Sequence, residues 1–390
     1  MRRRSQAANG DTERHASVTL TTTVSAVPRL FQPTKVGKIM LSHRVVLAPL
    51  TRYRADKEHV HTDLGVEYYG QRASIPGTLL ITEATFVSPQ ASGYDNPPGI
   101  WNEEQVEAWR RITSTVHAKG SRIFCQLWAL GRVAQRDILA RLGLPVVSAS
   151  DIPIADHATP HALTIPEIKE YVQMFTAAAV NAMRAGFDGV ELHGANGYLI
   201  DQFFQDMSNK RTDAYGGSIA NRCRFALELI DSISKAIGED KTAIRISPWS
   251  RYQDMRMTDP RPTFSHFVSC LVERHPNLAY IHVIEPRIDQ LPDQPSPIEE
   301  VSSNDFLRKV WAPRAYIAAG GFTRDLALQT SEQTGDLIAF GRAFLANPDL
   351  PLRLAKDLPL TEGDRDTYYT AESARGYTDY PFVDNSEAQK

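Results

Sequence analysis

The chain has 390 residues, 42% of them hydrophobic, a formal charge of −3 and a pI near 6.4. That composition suits a globular chain with a large core and speaks against nucleic acid or an anionic membrane as the main partner. No apolar run reaches membrane-spanning length, and Cys125, Cys223 and Cys270 lie far apart without a C-x-x-C pair. Neither a disulfide framework nor a thiolate zinc site is suggested, which fits a cytoplasmic location.

In chain order, residues 1–27 form the first segment. Arg2, Arg3 and Arg4 are followed by Ser, Thr and Ala rather than an apolar stretch, so a disordered tail is expected there and not a secretory signal. Residues 28–383 read as one domain, with 384–390 as a C-terminal tail. Lys35–Ser42 suggests a small hairpin. Strands are predicted at Val45–Pro49, Leu79–Glu83, Arg122–Leu127, Gly189–His193, Ala243–Ser247, Tyr280–Ile284, Tyr316–Ala319 and Leu337–Phe340. Several are continuous apolar runs, as parallel strands covered on both faces require.

Helical patterns lie between them. Thr164-Ile-Pro-Glu167 reads as a capping box, with Ile168, Val172, Phe175, Ala179 and Met183 on one face and a stop near Gly186. A second pattern runs from Ser218 to Gly238. Eight strands with intervening helices predict a single (β/α)8 TIM barrel. A doubly wound sheet usually has fewer strands and a glycine-rich first turn, and no G-x-G-x-x-G occurs here. Residues 129–163, with Pro145, Pro153 and Pro160, form a long insertion after strand three, expected to cap the barrel mouth.

In such a barrel chemistry gathers at the C-terminal strand ends. Strand one ends in Pro49 and Thr51, strand two in Glu83 and Ala84, and strand three in Gln126 and Trp128. His193, Asn196 and Tyr198 follow strand four. They could polarise a carbonyl and deliver a proton beside it, although His-Gly and Asn-Gly also serve as turn chemistry. Thr51 could merely cap a loop, Trp128 could be core packing, and Glu83 and Glu285 could be structural carboxylates. Arg245 alternates with Ile244 and Ile246 and therefore faces the other way; a charge there needs a carboxylate or an anionic ligand. The ligand is favoured, because no acidic residue adjoins it on its strand. Gly320 and Gly321 after strand seven, with Gly341 and Arg342 after strand eight, suit a phosphate. None of the strand ends carries the lysine of a Schiff-base aldolase. A metal lyase would need converging carboxylates, and Glu191 lies too deep beside Glu83 and Glu285 for that.

The chain resembles the old yellow enzyme family of FMN-dependent ene-reductases, over roughly Arg29 to Pro381, and looks like a fungal member. The resemblance rests on Leu47-Ala-Pro-Leu-Thr-Arg52, Val66-Glu-Tyr-Tyr-Gly-Gln-Arg72, Ile81-Thr-Glu-Ala84, Gln126-Leu-Trp128 and His193-Gly-Ala-Asn-Gly-Tyr198. It continues with Ser208-Asn-Lys-Arg-Thr-Asp-Ala-Tyr-Gly-Gly-Ser218, Arg245-Ile-Ser-Pro248, Phe340-Gly-Arg342 and Gly376-Tyr-Thr-Asp-Tyr-Pro381.

It implies that Pro49, Thr51, Ala84 and Gln126 line a flavin and that Arg245 stabilises negative charge on its reduced form. It implies that Gly320, Gly321, Gly341 and Arg342 hold the FMN phosphate. His193 and Asn196 would bind the substrate oxygen, Tyr198 would be the proton donor, Trp128 would shape the pocket and Tyr377 would close it. The implied reaction is ping-pong: NADPH reduces FMN, NADP leaves, and an α,β-unsaturated carbonyl compound takes its place. Gly321 departs from yeast members, which often carry Asn there. Tyr198 supports net reduction, since some fungal alkaloid-pathway relatives have Phe and favour isomerisation. The implied setting is specialised metabolism, with general enone detoxification or a flavin-free barrel lyase or aldolase as alternatives. No metal is expected, and a homodimer is compatible with the sequence.

Overall fold

Eight short parallel strands carry the fold. In the computed structural model they are β1 (Val45–Leu47), β2 (Leu79–Ile81), β3 (Arg122–Trp128), β4 (Gly189–Gly194), β5 (Thr242–Ile246), β6 (Tyr280–Ile284), β7 (Tyr316–Ala319) and β8 (Leu337–Phe340). The structure describes residues 27–287 and 302–384. The tails expected at 1–27 and 384–390 lie outside these but for Val27 and Asp384. Each strand pairs in parallel with the next, and β8 pairs with β1, closing the predicted barrel. β1 stops before the expected Pro49, whose missing N–H cannot extend a ladder.

Alternation sorts each strand into two buried faces. Val45, Leu47, Ile123, Cys125, Val190, Leu192, Ile244 and Ile246 point outward into the core shared with the helices. Val46, Leu79, Ile81, Phe124, Ala243, Tyr280, Ile317 and Leu337 fill the barrel interior. With both faces buried, the strands read as apolar runs rather than as alternation. The helix Ile165–Arg184 buries Ile168, Phe175 and Ala179, and its capping box is complete, with Thr164 and Glu167 exchanging hydrogen bonds. The helix Ile219–Ile237 starts on Ser218, whose hydroxyl accepts from Asn221 N, and stops at Gly238, φ +101°.

The N-terminal hairpin, Thr34–Val36 against Ile39–Leu41, plugs the barrel floor, where Val36 and Leu41 join the interior cluster. Its turn residue, Gly37, has φ +53°, and a Cβ there would lie 2.1 Å from the Asp240 carbonyl oxygen. At the other end, the insertion after β3 carries secondary structure of its own. It contains a helix, Arg136–Arg141, and a two-stranded parallel sheet, Val147–Ser148 with His161–Ala162. Leu130, Val133, Leu139, Val146 and Ile154 pack there with Ala84, Phe86 and Trp128, so the insertion roofs the β2–β3 side of the mouth.

A C-terminal segment is strapped across β1. Arg52 donates to the carbonyls of Tyr368 and Gly376. Arg54 donates to those of Thr367, Tyr368, Ser373 and Arg375. Main-chain carbonyls of an irregular segment need donors, and here two buried guanidinium groups supply them.

Candidate active site

Inward parity brings Gln126 on β3, Glu191 and His193 on β4, Arg245 on β5 and His282 on β6 into the upper barrel. Gln126 pairs in register with Glu191, and Arg245 with both His193 and His282. Gln126 Nε2 donates to Glu191 Oε1 at 2.7 Å, and His282 Nδ1 donates to Glu191 Oε2 at 2.9 Å. All three are fully buried or nearly so. Burial lowers the His282 pKa, which keeps the ring neutral with its proton on the nitrogen facing Glu191. One layer higher, Arg245 is 9% exposed and its Nε has no protein partner.

Above Arg245 stands the β4 exit. Asn196 adopts a left-handed conformation, φ 60°, and its N–H donates to Ser247 Oγ at 2.8 Å. Gly197, φ 77°, donates to Asp201 Oδ2 at 2.9 Å. Gln202 Nε2 ties the carbonyls of Leu130 and Gly197 together. This turn aims Tyr198, which precedes the short helix Leu199–Phe204, back at His193. The Tyr198 and His193 rings meet edge to face with centroids 4.8 Å apart, and Trp128 meets Tyr198 the same way at 4.9 Å.

Electrostatics divides the labour in this cluster. Burial, followed by the charge of Arg245 and the nearby His282, holds the His193 pKa well below the usual histidine range. His193 is therefore a neutral donor at neutral pH, able to polarise an oxygen without titrating. Loss of hydration and the neighbouring phenols of Tyr94, Tyr252 and Tyr53 push the Tyr198 pKa well above 10, so its proton stays in place. Asp201, buried beneath the turn, is pushed up to about 7 by desolvation, with hydrogen bonds from Gln205 and Gly197 opposing.

The remaining expected residues fall into two groups. Pro49 and Ala84 are buried and Thr51 is half-buried at the ends of β1 and β2. Gly320 (φ 116°), Gly321 (φ 60°), Gly341 and Arg342 follow the adjacent strands β7 and β8, so the two glycine turns lie side by side. Gly341 also packs closely on Leu50: an added Cβ would stand 3.1 Å from its Cδ2. Tyr377 is different. It is fully buried, stacked on Tyr68 at 4.1 Å under the guanidinium groups of Arg52 and Arg54, so it stands apart from the His193–Tyr198 cluster. The main-chain grip of Arg52 and Arg54 on 367–376 turns Tyr377 inward and leaves Tyr369 outside, 65% exposed and edge-on to Tyr53 at 5.9 Å.

Glu83 and Glu285 take structural roles. Glu83 accepts from Arg52 N at 3.0 Å, and Glu285 pairs with Arg308 at 2.6 Å. Residues not singled out from the sequence are His282 and the phenols around Tyr198. Parity with Tyr280 in β6 could have identified His282, whereas Tyr53, Tyr94 and Tyr252 lie in three loops that only packing brings together. Among the described residues no group of three or more His, Cys, Asp and Glu is arranged to hold a metal.

Three buried nitrogens, Arg245 Nε, His193 Nδ1 and Trp128 Nε1, have no protein partner, and the arginine and tryptophan atoms are donors. Unmet donors converging above a barrel interior fit a planar ligand rich in acceptor atoms. The isoalloxazine ring of FMN is of that kind, and the β7–β8 glycines with Arg342 fit the phosphate at the end of its ribityl chain.

Comparison with known proteins agrees with this chemistry. The model of the NADH:flavin oxidoreductase / NADH oxidase family matches residues 29–361. The chain is 47% identical to the NADP-dependent oxidoreductase lnbE of Aspergillus flavus, over 92% of this chain and 97% of that protein. It is 45% identical to the chanoclavine-I aldehyde reductase fgaOx3 of Penicillium roqueforti, covering 93% and 98%. The crystal structure of Old Yellow Enzyme from a Pichia species superposes with a TM-score of 0.84 at 39% identity, covering 91% of this chain and 94% of that one.

Proposed function

Since the chain belongs to the NADH:flavin oxidoreductase / NADH oxidase family and is an FMN-dependent oxidoreductase, we propose that it uses NADPH to reduce the activated C=C bond of α,β-unsaturated carbonyl compounds. The observation that carries this reading is the pairing of a neutral His193 with a protonated Tyr198, rings 4.8 Å apart, over Arg245. FMN held there would supply hydride transfer between NADPH and the alkene, two half-reactions that would share one pocket in ping-pong order.

The protein's own residues do the rest. Pro49, Thr51, Ala84 and Gln126 line the ring, and Gly320, Gly321, Gly341 and Arg342 hold the phosphate. Arg245, always charged, would stabilise negative charge on a flavin held above it. His193 and Asn196 donate to the substrate carbonyl oxygen, where negative charge grows during reduction. Trp128 walls the pocket. Tyr198 gives its phenolic proton to the α-carbon, and its raised pKa keeps that proton available throughout the neutral range.

The names of the Aspergillus and Penicillium relatives support NADP dependence and an aldehyde substrate; we place that substrate, an unsaturated carbonyl compound, in fungal specialised metabolism. Among the described residues no helix is long and apolar enough to cross a membrane. The reading is of a cytoplasmic enzyme acting on small molecules.

The test is direct. Purified protein should be yellow, bleach with NADPH under anaerobic conditions, and recover colour on addition of an enone such as cyclohex-2-enone. A colourless protein that FMN cannot reconstitute would refute the reading.

A further inference from the structure

The mechanism makes no use of Glu191 and His282, which form with Gln126 a buried layer that has a polarity of its own. Glu191 lies two residues below His193 on β4, with one oxygen facing Gln126 and the other His282. Resting on the FMN reading above, we propose that Glu191 is a positioning residue that fixes the Gln126 amide with its carbonyl toward the flavin, where it accepts from the ring N3–H, and that balances the charge of Arg245.

The first half follows from donor and acceptor accounting. A carboxylate can only accept, so at 2.7 Å the Gln126 atom facing Glu191 must be the NH2 group; the flipped amide would set two oxygens against each other. His282 cannot take over that role, because it is already hydrogen-bonded to the second oxygen. The Gln126 N–H of the main chain is also taken, by Thr82 Oγ1 at 2.9 Å, so neither the backbone nor the side chain is at liberty to rotate. The amide carbonyl is thereby directed away from Glu191. At the pyrimidine edge of a flavin, N3–H is the donor between two carbonyl acceptors; a fixed acceptor beside the donor Arg245 reads that pattern.

The second half is electrostatic. Glu191 pairs in register with Ala243, two residues below Arg245 on β5, and it is the leading favourable charge on that guanidinium, which burial otherwise penalises. A negative carboxylate beneath Arg245 tempers the positive potential that a reduced, anionic ring would feel. Removing the Glu191 charge should therefore favour the reduced ring and move the flavin midpoint potential in the positive direction.

The experiment uses apoprotein titrated with FMN, and the midpoint potential of the reconstituted holoprotein, for wild type, Glu191→Leu, Gln126→Ala and the double variant; leucine removes the acceptor, whereas glutamine would keep one. Expected results are an FMN dissociation constant raised about tenfold in Glu191→Leu, as for loss of one oriented hydrogen bond, together with a more positive potential. In the Gln126→Ala background the Glu191→Leu change should cost less than threefold further affinity while still shifting the potential. Wild-type affinity and potential in Glu191→Leu, or full additivity of the two affinity losses, would overturn the proposal. Should Glu191→Leu not fold, FMN is compared with N3-methyl-FMN on wild type and Gln126→Ala. A preference for FMN of about tenfold or more that disappears in Gln126→Ala supports it, and equal binding by wild type overturns it. A wild-type protein that binds no FMN at all refutes the parent reading instead.

Discussion

Replacing Tyr198 with Phe isolates the proton donor. The phenyl ring keeps the edge-to-face contacts with Trp128 and His193, at 4.9 and 4.8 Å. What is lost is the hydroxyl and its hydrogen bond with the Gln253 side chain, worth about 0.5–1.5 kcal/mol, so the fold and flavin content should survive. Because the wild-type pKa lies well above 10, almost every Tyr198 carries its proton at pH 7, and the substitution removes a fully populated acid. General acids contribute about 10²–10⁴-fold, which at 1.36 kcal/mol per decade is about 2.7–5.4 kcal/mol of barrier. Anaerobic stopped-flow spectroscopy separates the half-reactions. NADPH should bleach the variant at close to the wild-type rate, while reoxidation by cyclohex-2-enone slows by that factor. Wild-type reoxidation rates in the variant would refute Tyr198 as the donor.

Other consequences can be checked independently. Asp201 has a folded pKa of about 7 against an ordinary 3.8. The folded state therefore holds the extra proton between those values, and stability falls as pH rises through that window, by about 1.4 kcal/mol per pH unit for a single group. Asp201→Asn should match wild type near pH 4 and exceed it in urea midpoint at pH 8; an unchanged difference across that range would count against it. Gly37→Ala forces a left-handed alanine against the Asp240 carbonyl, and calorimetry should show a loss of about 1–3 kcal/mol with flavin spectra unaltered. Arg54→Met deletes five hydrogen bonds to main-chain carbonyls, four of them in the C-terminal segment. Limited proteolysis should then cut within 365–376 much faster, and KM for the enone should rise more than kcat falls, because Tyr369 loses its seat beside Tyr53.

Much of this architecture is legible in the residues because its causes are local or periodic. Strands buried on both faces must be apolar throughout, so all eight announce themselves, six within a residue at both ends. Period-two alternation places Arg245 inside the barrel with no knowledge of its neighbours. The caps at Thr164 and Ser218 rest on hydrogen bonds that span three residues. These choices are made within a few positions of chain, and the sequence by itself determined them.

Tertiary structure decided the contacts between distant segments. Glu191 finds Gln126 and His282 only because β3, β4 and β6 share one closed interior. Tyr377 and Tyr369 are eight positions apart and equally aromatic, yet one stacks on Tyr68 and the other faces solvent. What separates them is the grip of Arg52 and Arg54 on carbonyls more than 300 residues away. Tyr53, Tyr94 and Tyr252 likewise raise the Tyr198 pKa from three separate loops. Alternation dictates which way a side chain points; which partner it meets depends on the closure of the barrel and the path of the loops above it, and both follow from the packing of the whole chain.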